Sequence, residues 1–213
     1  VMGSACLVKE ENSIVVDMGG TTTDIALINR GAPLKTVDGI RIGRWKTFAS
    51  GLYIRTVGLG GDSAIHYDGR KLFLEDYRVV PLCVAAEKYP HIVDHLKRLL
   101  ESARKHTRYL HEHYILVKDI SENPRYTGEE KALCAALKRG ALSLTEAADS
   151  VPGRDIYSLN VSRLLREGVV QVCGLTPTDV MHIRGDFSRF SAEASLLGAQ
   201  YVASNLDLSV DEL

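Results

Sequence analysis

The sequence predicts a mixed α/β fold, and three observations carry that expectation. Short β-branched runs flank a Gly/Thr-rich turn near the start of the chain. Capping signals of the form Ser/Thr-x-x-Glu/Asp open helices in the second half. The composition, 45% hydrophobic and 25% charged over 213 residues, suits a globular chain with one large domain or two small ones.

Residues 1–9 are small and apolar and read as the end of a helix. Ser13 to Asp17 is a short β-branched run and reads as a buried strand, Met18 to Thr23 as a turn, and Asp24 to Asn29 as a second strand. Pro33 closes the next turn, and Leu34 to Ile42 reads as a third strand. Val57 to Ser63 is a second glycine loop. Asp68-Gly69 is a hairpin signal between Ala64–Tyr67 and Lys71–Leu74. Ile92, Leu96, Leu99 and Leu100 lie at helical spacing, which predicts a helix over about 91–112, and Tyr114 to Val117 fits a strand. The stretch from 75 to 125 is otherwise uninformative.

Thr127-x-x-Glu130 and Ser143-x-x-Glu146 are capping boxes that open two helices, the first with Leu133 and Leu137 on one face and Gly140 at its end. A third helix is expected over 155–167, followed by a strand from Val169 to Cys173. Three short helices and a strand follow the plan of a winged helix-turn-helix. Thr176-Pro177-Thr178-Asp179 places Pro at the first position of another helix, and a last helix spans about 189–205. The expected organisation is a core over 1–125, a winged-helix-like insertion over 126–174, and a helical return over 175–213.

A net charge of −1 provides no general attraction for nucleic acid or anionic membrane. The winged-helix-like stretch is balanced too. Its Lys131, Lys138, Arg139, Arg154, Arg163 and Arg166 are matched by Glu129, Glu130, Glu146, Asp149, Asp155 and Glu167, where a duplex reader shows a basic stripe. No apolar run is long enough to span a bilayer. Cys6, Cys83, Cys134 and Cys173 form no Cys-x-x-Cys pair and read as reduced thiols, so a cytoplasmic setting is expected. The chain opens on Val1 and closes on Asp211-Glu212-Leu213 in mid-pattern. The expectation is a segment of a longer protein, inactive alone.

The segment that points most strongly to chemistry is Asp17-Met18-Gly19-Gly20-Thr21-Thr22-Thr23-Asp24. Glycines let backbone approach phosphate oxygens, and successive N–H groups in a tight turn form an anion nest. Threonine hydroxyls add donors. A carboxylate ending the preceding strand suits a hydrated Mg²⁺. Such a turn with one acid is half of a phosphoryl-transfer site, where the protein mainly positions phosphates. Gly58-Leu59-Gly60-Gly61-Asp62-Ser63 reads equally as a binding loop or a glycine turn. His91 and His95, four apart, and His111-Glu112-His113 lack a third ligand placed by spacing and read as a solvated helix face. Asp179 and His182 suit a substrate or metal if their helix end faces a cleft, although capping alone accounts for Asp179.

Ile14 to Ile28, with its acid, glycines and threonines between two strands, resembles the phosphate hairpins of the ribonuclease-H-like actin, sugar-kinase and heat-shock-chaperone ATPase fold. Three segments in order resemble the hydantoinase/oxoprolinase family of hydantoinase A type: Val15-Val16-Asp17-Met18-Gly19-Gly20-Thr21-Thr22-Thr23-Asp24, Gly58 to Ser63, and Gly174-Leu175-Thr176-Pro177-Thr178-Asp179. Asp62 departs from the pattern, standing where that family usually carries a third glycine. An upstream Asp-x-Gly-Gly-Thr hairpin and a downstream adenosine motif are both absent from the sequence.

The resemblance implies an ATP-dependent hydrolase of cyclic amides such as a hydantoin or 5-oxoproline, with ATP and Mg²⁺ as cofactors. Asp17 and Asp24 would be its catalytic acids, Asp17 the metal ligand. Gly19, Gly20, Thr21, Thr22, Gly60 and Gly61 would bind nucleotide, with Asp62, Asp179 and His182 as weaker substrate or metal candidates. Its implied partners are a small cyclic amide and a nucleotide, with room for a second subunit or a homo-oligomer. The alternatives are a ketone carboxylase subunit of the same family and a non-enzymatic nucleotide-binding regulator.

Overall fold

The computed structural model describes residues 2–8, 10–36, 39–42, 44–102 and 105–213, and of Met2, Ala5, Arg41 and Ile42 the backbone alone. The chain divides into two compact units, Val1–Gly61 and Asp62–Leu213. The stretch read as a winged-helix-like insertion lies inside the second.

The first unit opens with α1 (Met2–Val8), followed by the long hairpin of β1 (Ser13–Met18) and β2 (Thr23–Asn29). Its register pairs Ser13 with Ile28 and Met18 with Thr23, leaving a four-residue turn. Four short strands follow: β3 (Ala32–Pro33), β4 (Lys35–Thr36), β5 (Arg41–Ile42) and β6 (Trp45–Lys46). The unit closes with β7 (Gly51–Leu52) and β8 (Ile54–Val57). β2 carries β1 on one side, and β3 and β8 also pair with it.

Two expectations are corrected in this unit. The first strand is not buried: Ile14, Val16 and Met18 are 65%, 59% and 63% exposed. They alternate onto one face of β1, and β1 pairs only with β2 among the described residues. The single strand expected over Leu34–Ile42 is instead β4 and β5. Gly39, at φ +92°, takes a left-handed backbone that a strand does not continue through. Val37 and Asp38 lie outside the described residues.

In the second unit β9 (Ser63–Tyr67) and β10 (Leu72–Arg78) form the hairpin that Asp68-Gly69 predicts, with Asp68 accepting from the amides of Arg70 and Lys71. Then come β11 (Val80–Pro81), α2 (Leu82–Lys88), α3 (His91–Glu101) and β12 (His113–Leu116). Next are α4 (Gly128–Leu137), β13 (Leu142–Ser143), α5 (Leu144–Asp149), α6 (Ser162–Arg166) and β14 (Val170–Gly174). The chain closes with α7 (Pro177–Arg184), α8 (Ala192–Leu206) and a 3-10 turn at Val210–Glu212. The main sheet runs β11-β14-β12-β13, with β11 parallel to β14 and the other pairs antiparallel.

Two apolar cores fill this unit. One gathers Leu82, Ile92, Leu96, Leu175, Ala199 and Val202. The other joins Leu133, Leu137, Leu144, Val151, Leu164 and Val169. Both predicted capping boxes form, with Thr127 and Ser143 each accepting from the amide of the glutamate three residues on.

Two helices are shorter than expected. The helix from His91 ends at Glu101. Farther on, the His106 amide donates to Asn205 Oδ1 rather than into a helical turn. The helix expected from 155 begins only at Ser162, because Asp155 Oδ1 accepts from the amides of Tyr157 and Ser158 and holds a turn there.

Candidate functional site

The β1–β2 register sets the geometry of the candidate site. Asp17 lies directly across from Asp24, and Asp24 in turn pairs with Thr56 on β8. Directly paired residues project to the same face, so the two carboxylates and one hydroxyl form a row across three strands. The Thr56 hydroxyl donates to Asp24 Oδ1 at 2.5 Å. Asp17 is exposed, and neither aspartate has an ion-pair partner among the described residues. Like charges facing each other across a strand pair are destabilising. A cation between or beyond them removes that penalty.

The turn beside them is closed by the Gly19 amide donating to the Thr22 carbonyl at 2.8 Å. The amides of Gly20, Thr21 and Thr22 make no hydrogen bond among the described residues, so this turn keeps a run of donors available to an anion. The second glycine loop packs onto the first. The Gly61 amide donates to the Gly19 carbonyl at 2.9 Å, and the Thr23 hydroxyl donates to the Leu59 carbonyl at 2.6 Å. A Cβ on Gly60 would sit 2.6 Å from the Gly19 oxygen and from the Gly20 carbonyl. The two backbones touch because Gly60 has no side chain. One on Gly19 would meet only the Thr22 oxygen, at 3.5 Å.

The remaining candidates lie in the second unit, and their polar atoms are engaged within the protein. Asp62 accepts from Arg78 Nη2 at 2.9 Å. Asp179 is fully buried. Its Oδ1 accepts from the Cys83 amide and the Ser195 hydroxyl, and its Oδ2 from the amides of Leu82 and Thr176 and from the Thr176 hydroxyl. Burial pushes its carboxyl up, against donors that pull it down. Asp179 thus caps its own helix α7 and the start of α2, with no lone pair directed at a ligand. His182 is equally engaged: Nδ1 meets the Thr178 carbonyl at 2.8 Å, and Nε2 accepts from the Phe190 amide. These bonds accord with the capping reading of Asp179, and they occupy the polar atoms of both weaker substrate or metal candidates within the protein.

The histidines expected on a solvated helix face are corrected as well. His111 and His113 are fully buried on the approach to and start of β12, and their ring nitrogens have no hydrogen-bond partner among the described residues. Burial pushes His111 down to about 3 and His113 well below its ordinary value. Among the described residues no group of three or more His, Cys, Asp or Glu is arranged to hold a metal ion. A hydrated Mg²⁺ needs no such cage, since one or two carboxylates with waters and phosphates suffice, and the facing Asp17 and Asp24 meet that requirement. No helix among the described residues is long and apolar enough to cross a membrane.

The fold and hairpin define a mixed α/β protein whose first unit presents paired carboxylates beside a glycine and threonine turn. Residues 1–88 match the model of the hydantoinase/oxoprolinase family. No curated protein matches the chain. A solved structure described as "Mechanism of ATP-Dependent Acetone Carboxylation, Acetone Carboxylase nucleotide-free structure" is 27% identical over 38% of this chain, with a TM-score of 0.33. The aligned part covers 12% of that protein's chain, so this sequence spans a small part of the relative's length.

Proposed function

We propose that the β1–β2 turn binds the phosphates of Mg-ATP, in an ATPase of the actin-like kind, and that the parent enzyme uses ATP to open a cyclic amide. The observation that carries this reading is the uncompensated pairing of Asp17 with Asp24 beside three free amides. A strand pair chosen for stability alone would not place two carboxylates opposite each other. A Mg-nucleotide supplies both missing partners, a cation for the acids and an anion for the amides.

In this reading the amides of Gly20, Thr21 and Thr22 receive phosphate oxygens, and the Thr21 and Thr22 hydroxyls add donors. Asp17 would hold a hydrated Mg²⁺, and Asp24, which accepts from the Thr56 hydroxyl, would support the metal or the turn. Gly60 and Gly61 act one layer behind, keeping the turn in shape through the Gly19 carbonyl. Mg²⁺ would supply charge neutralisation between the phosphates. The substrate class is carried by the match of residues 1–88 to the hydantoinase/oxoprolinase family model. Phosphorylation of the amide oxygen there makes the ring carbon open to water, and ring opening releases phosphate.

The test is calorimetric titration of Mg-ATP and Mg-ADP into this chain and into Asp17→Ala. Saturable binding lost in the variant is the expected result. Binding of equal strength in both would remove Asp17 from the site. With the full-length enzyme, ATP consumption that depends on a cyclic amide supports the hydrolase. Consumption that depends on bicarbonate and a ketone would assign the protein to a carboxylase instead.

A further inference from the structure

The second unit contains a cavity of about 370 Å³ that none of the chemistry above uses. One wall of it is a buried ionic relay. His66 is 3% exposed; its Nδ1 lies 2.9 Å from Glu75 Oε1 and its Nε2 lies 2.7 Å from Glu112 Oε1. The Tyr109 ring stacks on the imidazole at 3.8 Å between centroids. Burial pulls His66 down, but the two carboxylates, Glu112 first, outweigh it and hold the imidazole above its ordinary value. Only one oxygen of Glu112 is engaged by His66, and Oε2 has no partner among the described residues.

The opposite charge is present in the same cavity. Arg108 lines it, and its guanidinium makes no hydrogen bond or ion pair among the described residues. Tyr77 and Tyr114 line the same cavity, and their hydroxyls are also unpartnered among the described residues. Burial pushes Tyr114 up to about 12 and raises Tyr77 as well, so both remain protonated donors. Leu144, Leu165 and Val172 supply an apolar wall. Glu75 and Glu112 balance His66 and Arg108, so the charges at the site sum to zero, while Glu112 Oε2 and the Arg108 guanidinium are unpartnered among the described residues. That pattern selects neither a simple cation nor a simple anion. It selects a molecule carrying both charges on a small frame with an apolar end.

We propose that this cavity binds a small zwitterion, an α-amino acid with an apolar or aromatic side chain. Its ammonium meets Glu112 Oε2 and its carboxylate meets Arg108. The side chain lies among Leu144, Leu165 and Val172. His66, backed by Glu75, is a positioning residue that holds the Glu112 carboxylate in place. This site is independent of the phosphate turn.

The experiment is calorimetric titration of L-leucine and L-phenylalanine into the 213-residue chain, with N-acetyl-L-phenylalanine and phenethylamine as single-charge controls. The expected result is saturable binding of at least one amino acid, weakened about tenfold or more when either charge is removed. Arg108→Gln should weaken the amino acid while leaving phenethylamine unchanged, and Glu112→Gln should weaken both. The ligand series on the unmodified chain decides the matter even if Glu112→Gln misfolds. No saturable binding of either amino acid, or equal binding of the N-acetylated form, overturns the proposal. Asp17→Ala should leave amino-acid binding intact, so failure of the phosphate reading and failure of this one are separable.

Discussion

As sequence, the β1–β2 turn and the Thr176–Asp179 segment are alike, both rich in threonine with aspartate at the end, yet the structure treats them in opposite ways. Asp179 is fully buried and meets five donors; Asp17 is exposed and meets none among the described residues. A carboxylate saturated by its own chain is a structural part, whereas one facing another carboxylate without a counter-ion among the described residues has lone pairs open to a cation. The same contrast separates His182, with both nitrogens bonded, from the amides of Gly20, Thr21 and Thr22, which make no hydrogen bond among the described residues.

Breaking this contrast at its strongest point gives the largest effect. Asp179→Ala leaves the amides of Leu82, Cys83 and Thr176 buried without an acceptor. It should destabilise the second unit by about 3–5 kcal/mol in urea unfolding. Gly60→Ala places a methyl group against the Gly19–Gly20 backbone, so about 1–3 kcal/mol should be lost from the first unit together with nucleotide affinity. Gly19→Ala, with its nearest contact at 3.5 Å, should be far milder, and the ratio of the two measures how much the loop packing matters.

The buried histidines predict a pH dependence. His111 and His113 have depressed values in the folded state. Their contribution is therefore complete above the unfolded value near 6.5 and is lost as pH falls below it, for His111 by about 1.4 kcal/mol per pH unit down to about 3, and for His113 in the same direction. His66 has the opposite sign: raised by its carboxylates, its contribution is present in full below about 6.5 and fades as pH rises through its folded value. Below about pH 6.5 the His66 contribution no longer changes, so His111 and His113 alone should make the second unit acid-labile between about pH 6 and pH 4. His111→Phe should flatten the acid limb of a thermal-melt series, and an unchanged limb would contradict the assignment. The smallest effect belongs to Asp17→Ala, which should change stability by less than about 0.5 kcal/mol, or raise it slightly by removing the repulsion from Asp24.

The parts of this fold legible in the sequence are those decided within a few residues. The Asp68-Gly69 turn, the boxes at Thr127, Ser143 and Thr176 and the β1–β2 hairpin all rest on contacts of local range. Helix α2 has no local signal because its start is capped by Asp179, 97 residues away along the chain from Leu82. The burial of His111 and His113 and the exposure of Ile14, Val16 and Met18 depend on which neighbours cover a strand, and periodicity carries no such information. The Asp17 and Asp24 candidates could be named from the motif, but their facing register needed the strand pairing, and Thr56 had no signal of its own. The capping role of Asp179 was legible from its spacing to Thr176, whereas its bonds to Leu82, Cys83 and Ser195 and the bonds of His182 needed the fold.

The most direct measurement is an amide-resolved NMR titration of Mg-ADP into this chain. If the turn is a phosphate site, the amide signals of Gly20, Thr21 and Thr22 move first and saturably, and Asp17→Ala suppresses the movement. Saturable shifts elsewhere in the chain with these three amides unmoved would contradict a phosphate role for the hairpin.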